Sequence, residues 1–261
     1  MQISLIVTTY NRPDALLLVL KSIKAQTHMP FEIIIADDGS SNLTKQVINK
    51  FSEEFNIRLI HSYQEDLGFR VAESRNKAIA IAQGEYIVLI DGDMLLHKDF
   101  VKDHVSNAEQ GFYIQGSRVL LEKIKTNEIL ISKIITFSFF EAGIKNRLNA
   151  IHSKLLSKIF TSKKNFLRGV KSCNMSFYKS DCIKINGFNS SFIGWGREDS
   201  EFVIRLLNNK IRRKSLKFSA IQYHLWHNES NRKSLPANDK ILKKTIEEKL
   251  VWCEEGINKF L

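Results

Sequence analysis

Apolar positions in this chain fall into short unbroken runs, separated by stretches with helical spacing. Ile3 to Thr9, Phe31 to Ala36, Ile57 to Ile60 and Tyr86 to Ile90 have the length and residue types of buried strands. Between them, Leu16, Leu17, Leu20 and Ile23 recur at helical spacing, as do Val47, Ile48 and Phe51, and Val71 to Gln83 reads as a third helix. Pro13 is placed for the first turn of the first helix, and Ser41 or Asn42 for the cap of the second. Four strands alternating with helices predict an α/β fold with a parallel, Rossmann-like sheet.

Beyond Met94 the pattern loosens. Gly111 to Leu121 reads as one or two strands, and Val170 to Tyr178 as another. Ile144, Leu148, Ile151, Leu155 and Ile159 keep helical spacing, which predicts a basic amphipathic helix over roughly Gly143 to Phe160. Asp181 to Ile185 reads as a short helix ending at Asn186-Gly187. Phe192 to Asp199 is a Gly- and aromatic-rich loop, and Phe202 to Leu207 is helical. Ile221 to His227 follows as a short apolar stretch. A polar linker, Asn228 to Asn238, then sets off a C-terminal helix over Lys240 to Ile257, partly detached from the rest.

The candidate chemistry sits at strand ends. Polar loops at Thr8 to Asn11, Asp37 to Ser40 and Asp91 to Asp93 converge on one edge of a parallel sheet, where such folds bind ligands. Asp91 and Asp93 stand two residues apart, so on an extended backbone both side chains point to one side, with Gly92 between them. Two hard oxygen donors suit Mg²⁺ or Mn²⁺, completed by waters and a diphosphate. No Gly-x-Gly-x-x-Gly follows the first strand and there is no Walker A motif, which excludes the usual dinucleotide and P-loop fingerprints. His224 is placed as a third metal ligand, with His227 three residues on as its competitor. Trp195, between Gly194 and Gly196, offers a flat platform for a sugar.

Charge adds a partner class. The 261 residues carry a formal net charge of +11, which fits phosphate-bearing substrates, an anionic membrane surface or nucleic acid. No helix-turn-helix, zinc-finger or RNP pattern supports the last. From Ala142 to Ser180 there are nine Lys or Arg and no acid, so the predicted basic helix is a candidate contact for anionic lipid. Three scattered Cys without metal-type spacing fit a reducing compartment. No apolar stretch is long enough to span a bilayer and no signal peptide is apparent, so the expected location is cytoplasmic or peripheral on the inner face of the cell membrane.

Taken together, four stretches resemble the family-2 glycosyltransferases of the GT-A fold. They are Val7 to Arg12, Asp37-Asp38-Gly39-Ser40, Ser74-Arg75-Asn76 followed by Gly84 to Asp93, and the region from Asn186 through Gly194-Trp195-Gly196-Arg197-Glu198-Asp199 to Leu206. The last is similar to a segment shared by galactosyltransferases and bacterial chondroitin polymerases, although Arg197 replaces the Gly often found there. The resemblance covers about residues 3 to 227. It implies a GT-A domain over 1–227, divided into a nucleotide-sugar half (1–110) and a smaller acceptor and catalytic half (111–227). Residues 228–261 would be linker and C-terminal helix.

The resemblance also implies roles. Thr8, Tyr10, Arg12, Asp37, Arg75, Asp91 and Asp93 would hold the nucleotide-sugar, with Asp37 on the base, Tyr10 stacking and Arg75 on phosphate or ribose. Asp93 and His224 would hold the metal, Mn²⁺ or Mg²⁺. Trp195, Gly196 and Glu198 would bind the acceptor, and Asp199 would be the catalytic base, ionised without special tuning. The implied activity is inverting transfer from a UDP-sugar to a saccharide or lipid-linked saccharide, as in lipopolysaccharide, capsule or other surface polysaccharide synthesis, with no role for nucleic acid. A sugar-phosphate nucleotidyltransferase is the alternative enzyme class. It needs a Gly-rich, basic loop after the first strand, which this sequence lacks. A basic nucleic-acid-binding protein without catalysis is the alternative outside enzymes.

Overall fold

The computed structural model describes residues 1–163, 165–228 and 231–261. Strands β1 (Ile3–Thr9), β2 (Glu32–Asp37), β3 (Arg58–Tyr63) and β4 (Tyr86–Asp91) lie in the order β4-β1-β2-β3, all parallel. They are joined by crossover helices α1 (Pro13–Lys24), α2 (Asn42–Glu54) and α3 (Val71–Ile81). The sheet continues past β4 through β9 (Asn174–Tyr178), β6 (Phe112–Gln115) and β10 (Arg212–Ser215). Only β9 runs against the other six strands. The expected mostly parallel sheet is therefore present, and the loosely patterned half of the chain completes it.

Side chains alternate across the sheet because strand residues alternate faces. Leu5, Val7, Ile33, Val88 and Ile90 pack with α1, α2 and helix α4 (Phe100–Asn107), while Ile6, Ile34, Ile87 and Leu89 pack with α3 and helix α8 (Glu198–Asn208). Burial on both faces explains why these strands read as continuous apolar runs.

A second, four-stranded sheet sits beside the first. Its order is β5 (Met94–Leu96), β11 (Gln222–His224), β7 (Val119–Leu121) and β8 (Ile144–Lys145). The β5–β11 register sets His224 opposite Met94, next to Asp93. In the main sheet Thr8 pairs with Asp91 and Thr9 with Asp37, so the three carboxyl ends finish level.

Two sequence expectations are corrected. Gly143 to Phe160 is not one helix. It comprises β8, a 3₁₀ turn at Arg147–Ala150 and a seven-residue helix α6 (Lys154–Phe160). Gly143 and Asn146 have φ of +78° and +47°, values a helix cannot hold. Asn146 instead bonds the neighbouring strand, its Oδ1 accepting from the Leu120 N–H at 3.0 Å. Ser153 then caps α6, accepting from the Leu156 N–H at 3.3 Å.

The C-terminal helix, expected at Lys240 to Ile257, is α9 (Leu235–Glu247) and it is not detached. It lies on α8, where Thr245 Oγ1 donates to Glu201 Oε1 at 3.3 Å. The chain then turns back, and fully buried Ile257 donates its N–H to the Asn186 carbonyl at 2.9 Å. Of the expected polar linker, Glu229 and Ser230 lie outside the described residues. No helix among the described residues is long and apolar enough to cross a membrane.

Candidate active site

The level strand ends open onto a cavity of about 1000 Å³. Thr8, Tyr10, Arg12, Arg75, Asp91, Asp93, Trp195, His224 and His227 all line it. The resemblance named each of them as a site residue or as a competing ligand. Gly92 is required here by close approach. Its N–H donates to the Thr8 carbonyl at 2.6 Å, and a Cβ at this position would stand 3.0 Å from that oxygen.

Arg75 is the organising cation. It is 3% exposed on α3, and its guanidinium reaches Thr8 Oγ1, Asp91 Oδ1 and Glu198 Oε1, each at 3.3 Å. One buried fork thus joins β1, β4 and the start of α8, a geometry suited to Arg rather than Lys. Burial pushes the Asp91 carboxyl above its ordinary range, with the Arg75 charge opposing the shift.

Asp93 is the candidate metal residue. Its Oδ2 lies 3.0 Å from Arg12 Nη1, 3.3 Å from His227 Nε2 and 3.5 Å from His224 Nε2. Burial opposes ionisation, but the His224 hydrogen bond and the charges of His224, Arg12 and His227 together hold the carboxyl below its usual range. Its Oδ1 is buried and has no hydrogen-bond partner among the described residues. An orphaned carboxylate oxygen beside two imidazoles is a donor set that a divalent ion fits, Mn²⁺ better than Mg²⁺ because imidazole is softer than oxygen. Asp93, His224 and His227 offer donor atoms within 4.8 Å of one another.

Asp37, Gly196, Glu198 and Asp199 are not brought to the cavity wall. Asp37 is 1% exposed, with Oδ1 accepting from the Ser40 N–H and Oδ2 against His61 Nε2, both at 2.8 Å. Its neighbour Asp38 lines the cavity instead. Glu198 touches the cavity through Arg75. Asp199 follows it in the first turn of α8, where its Oδ1 accepts from the Ser200 N–H at 2.6 Å. Burial, reinforced by the Glu198 charge, pushes the Asp199 carboxyl well above the ordinary carboxylate range. That corrects the expectation of an untuned base.

The cavity wall also holds Phe69, Arg118, Lys123, Trp226 and Arg232, which the sequence reading missed. Lys123 Nζ stands 4.9 Å over the Trp226 ring. Trp226 had a signal, since it stands between the two His in Tyr223-His224-Leu225-Trp226-His227, but Arg118 belongs to no recognisable motif.

Comparison with known proteins gives consistent matches. The pattern of the family described as glycosyl transferase family 2 matches residues 4–178. A second family, described as N-terminal domain of galactosyltransferase, matches residues 158–228. Hyaluronan synthase of Pasteurella multocida is 30% identical over 220 residues, covering 78% of this chain and 22% of the synthase. Against solved structures, S. aureus TarS 1-349 in complex with UDP aligns with a TM-score of 0.64 and 18% identity, over 94% of this chain and 65% of that one. Mannosyltransferase PcManGT from Pyrobaculum calidifontis, in complex with GDP-Man and Mn²⁺, aligns with a TM-score of 0.60 and 18% identity, over 87% of this chain and 58% of that one. These structures carry the GT-A fold, which the present chain shares. The chain spans only about a fifth to a half of the length of the first few curated relatives it matches.

Proposed function

The chain belongs to glycosyl transferase family 2, and from that premise we propose an inverting, divalent-metal-dependent transfer of a sugar from a UDP-sugar to a saccharide or lipid-linked saccharide. The process it would serve is lipopolysaccharide, capsule or other surface polysaccharide synthesis at the cytoplasmic membrane face. In this reading residues 1–110 hold the donor, 111–227 present the acceptor, and 228–261 brace the acceptor side. The observation that carries it is Asp93, a buried carboxylate with one orphaned oxygen, set between Arg12 and two imidazoles on the wall of a nucleotide-sized cavity.

Residue roles follow the family resemblance, and the cavity lining supports those of Tyr10, Thr8, Asp91 and Asp93. Tyr10 is exposed at the cavity, and its hydroxyl donates to Asp66 at 3.0 Å, leaving a ring face for a base. Thr8 and Asp91 are held by Arg75 and face the ribose and phosphates. Asp93 and His224 or His227 would hold Mn²⁺, which when bound supplies Lewis-acid stabilisation of the leaving diphosphate. Asp199 takes the proton of the acceptor hydroxyl. That oxygen bonds to the anomeric carbon from the side opposite the diphosphate, the C–O bond to the diphosphate breaks, and the anomeric configuration inverts. Glu198 orients the acceptor, and Trp195 offers it an apolar face.

Asp37 keeps a supporting place in this reading. Engaged with Ser40 and His61, it shapes the loop that presents Asp38. The test is a thermal-shift titration of UDP with and without Mn²⁺, because a ligand that binds only the folded chain raises its melting temperature. Wild type should show a Mn²⁺-dependent UDP shift that Asp93→Ala loses while remaining folded. A shift that survives in Asp93→Ala sinks the reading.

A further inference from the structure

A second cluster of metal-type donors lies at the other end of β5. His97 follows β5 directly, Asp99 is the N-cap residue of α4, and His152 immediately precedes Ser153, the cap of α6. One donor atom from each of the three lies within 4.8 Å of the others. None of the three lines the cavity. His97 lies four positions after Asp93, at most about 14 Å of extended chain. We propose that His97, Asp99 and His152 form a second cation site, for Zn²⁺ or a similar borderline transition-metal ion, which ties the segment around 147–153 to β5 and α4.

The donors are held in place before any ion arrives. The His97 N–H donates to the Ile221 carbonyl at 3.0 Å, and its own carbonyl accepts from Gln26 Nε2 at 2.9 Å. Asp99 Oδ1 accepts from the Thr27 hydroxyl at 2.7 Å, which leaves Oδ2 for an ion, 4.0 Å from His97 Nδ1; that nitrogen accepts from the Asp99 N–H at 3.2 Å, a bond an ion at Nδ1 must displace. The same Thr27 bond holds the Asp99 carboxyl below its usual range, so it is charged at neutral pH. His152 Nε2 lies 2.9 Å from Asp103 Oδ2. Asp103 is itself buried and fixed by the Ala220 N–H at 2.8 Å. An imidazole that gives one N–H to a carboxylate and keeps the other nitrogen basic is the arrangement that orients metal-binding histidines.

The chemistry and size fit. Two imidazoles and a carboxylate are donors that Zn²⁺ accepts, with waters completing the shell. Bonds of about 2.0–2.1 Å place tetrahedral donors roughly 3.3 Å apart, so the cluster must contract by about an ångström. The side chains are 22%, 19% and 20% exposed, so they can be reached and can move. The two rings stack, 25° from parallel with centroids 4.4 Å apart, so one ring must turn out of the stack for a single ion to lie in the plane of both. Burial, reinforced by the neighbouring His152, depresses the basicity of His97.

The test uses the full-length chain stripped of metal with chelator and titrated with Zn²⁺ alone, then with Co²⁺ for its ligand-field bands. The Asp93→Asn variant removes the carboxylate of the first site. It should still bind one equivalent of Zn²⁺ and melt higher with it. Adding His97→Gln or His152→Gln should lose that equivalent, with affinity down at least 100-fold and the Co²⁺ bands gone. Asp103→Asn should weaken it about 10- to 100-fold, as loss of an orienting partner does. If Asp93→Asn binds no Zn²⁺, or if its equivalent survives in both histidine variants, the proposal is wrong. No readout depends on sugar transfer, so failure of the functional reading would leave this result interpretable.

Discussion

In the proposed mechanism Asp199 transfers the proton and Arg75 holds the scaffold. A general base works best with its pKa near the operating pH, and burial beside Glu198 moves Asp199 in that direction. Asp199→Asn should lower transfer by about 10²–10⁴-fold while leaving UDP affinity intact. In wild type, turnover should fall on acidification with a midpoint well above the pKa of about 3.9 of a free Asp. The raised pKa also makes a stability statement. The folded state holds the proton more tightly than the unfolded chain, so stability falls as pH rises from the unfolded value through the folded one. Asp199→Asn should therefore melt higher than wild type at pH 8. A variant that keeps more than a tenth of its turnover removes Asp199 from the base position. Arg75→Met is the opposite case. It strands Glu198 without its cation, and loss of one partner from a buried pair costs about 3–5 kcal/mol, while the pair with Asp91, 36% exposed, adds less. Chemical denaturation should show that loss even without substrate, whereas an Arg that served only the ligand would leave the apparent stability unchanged.

At the scale of elements, legibility follows how local the determining interactions are. The strands β1, β2 and β4 were readable because burial on both faces demands unbroken apolar runs. Asp91, Asp93, His224 and Trp195 were readable because each sits in a short contiguous motif. The segment 143–160 was misread because five apolar residues at helical spacing outweighed Gly143 and Asn146, whose left-handed backbone follows from pairing with β7. Arg118 and the His97–Asp99–His152 cluster were invisible, since their members are brought together only by folding. The C-terminal segment makes the same point. Nothing in its sequence announces that Ile257 packs against Gly187 and α3. Because that side chain is fully buried, Ile257→Ala should cost about 2–5 kcal/mol in urea unfolding. A detached tail would tolerate the change, so a loss below about 0.5 kcal/mol, the usual range for surface positions, would contradict the packing.

For the molecule as a whole, the question is where a net charge of +11 is spent. Part of it lines the cavity, in Arg118, Lys123 and Arg232, where a diphosphate would lie, beside Arg12 and Arg75, which already pair with Asp93 and with Asp91 and Glu198. Another part is offset locally, since Lys163 pairs with Glu109 at 2.6 Å and is not free for lipid. Lys164, which belongs to the same basic stretch, lies outside the described residues. What remains on α6 is a compact face. Lys154, Leu155, Lys158 and Ile159 are all exposed, and i, i+4 spacing sets the two lysines beside the two apolar residues, with Leu155 70% and Ile159 63% exposed. Leu148, 71% exposed, precedes this helix in the same acid-free stretch. Exposed leucine and isoleucine flanked by lysine suit the interface of an anionic bilayer better than water. Each basic residue near such a surface contributes about 1 kcal/mol, so Lys154→Glu with Lys158→Glu should weaken co-sedimentation with phosphatidylserine vesicles by at least about 2 kcal/mol, roughly 30-fold. Leu155→Ser with Ile159→Ser should weaken it too, but with less change in salt dependence, because only the charge contribution is screened. Neutral vesicles should bind poorly throughout. Equal binding to neutral and anionic vesicles would remove the electrostatic part of the argument. Wild-type protein that sediments with neither would leave the α6 face without a membrane role.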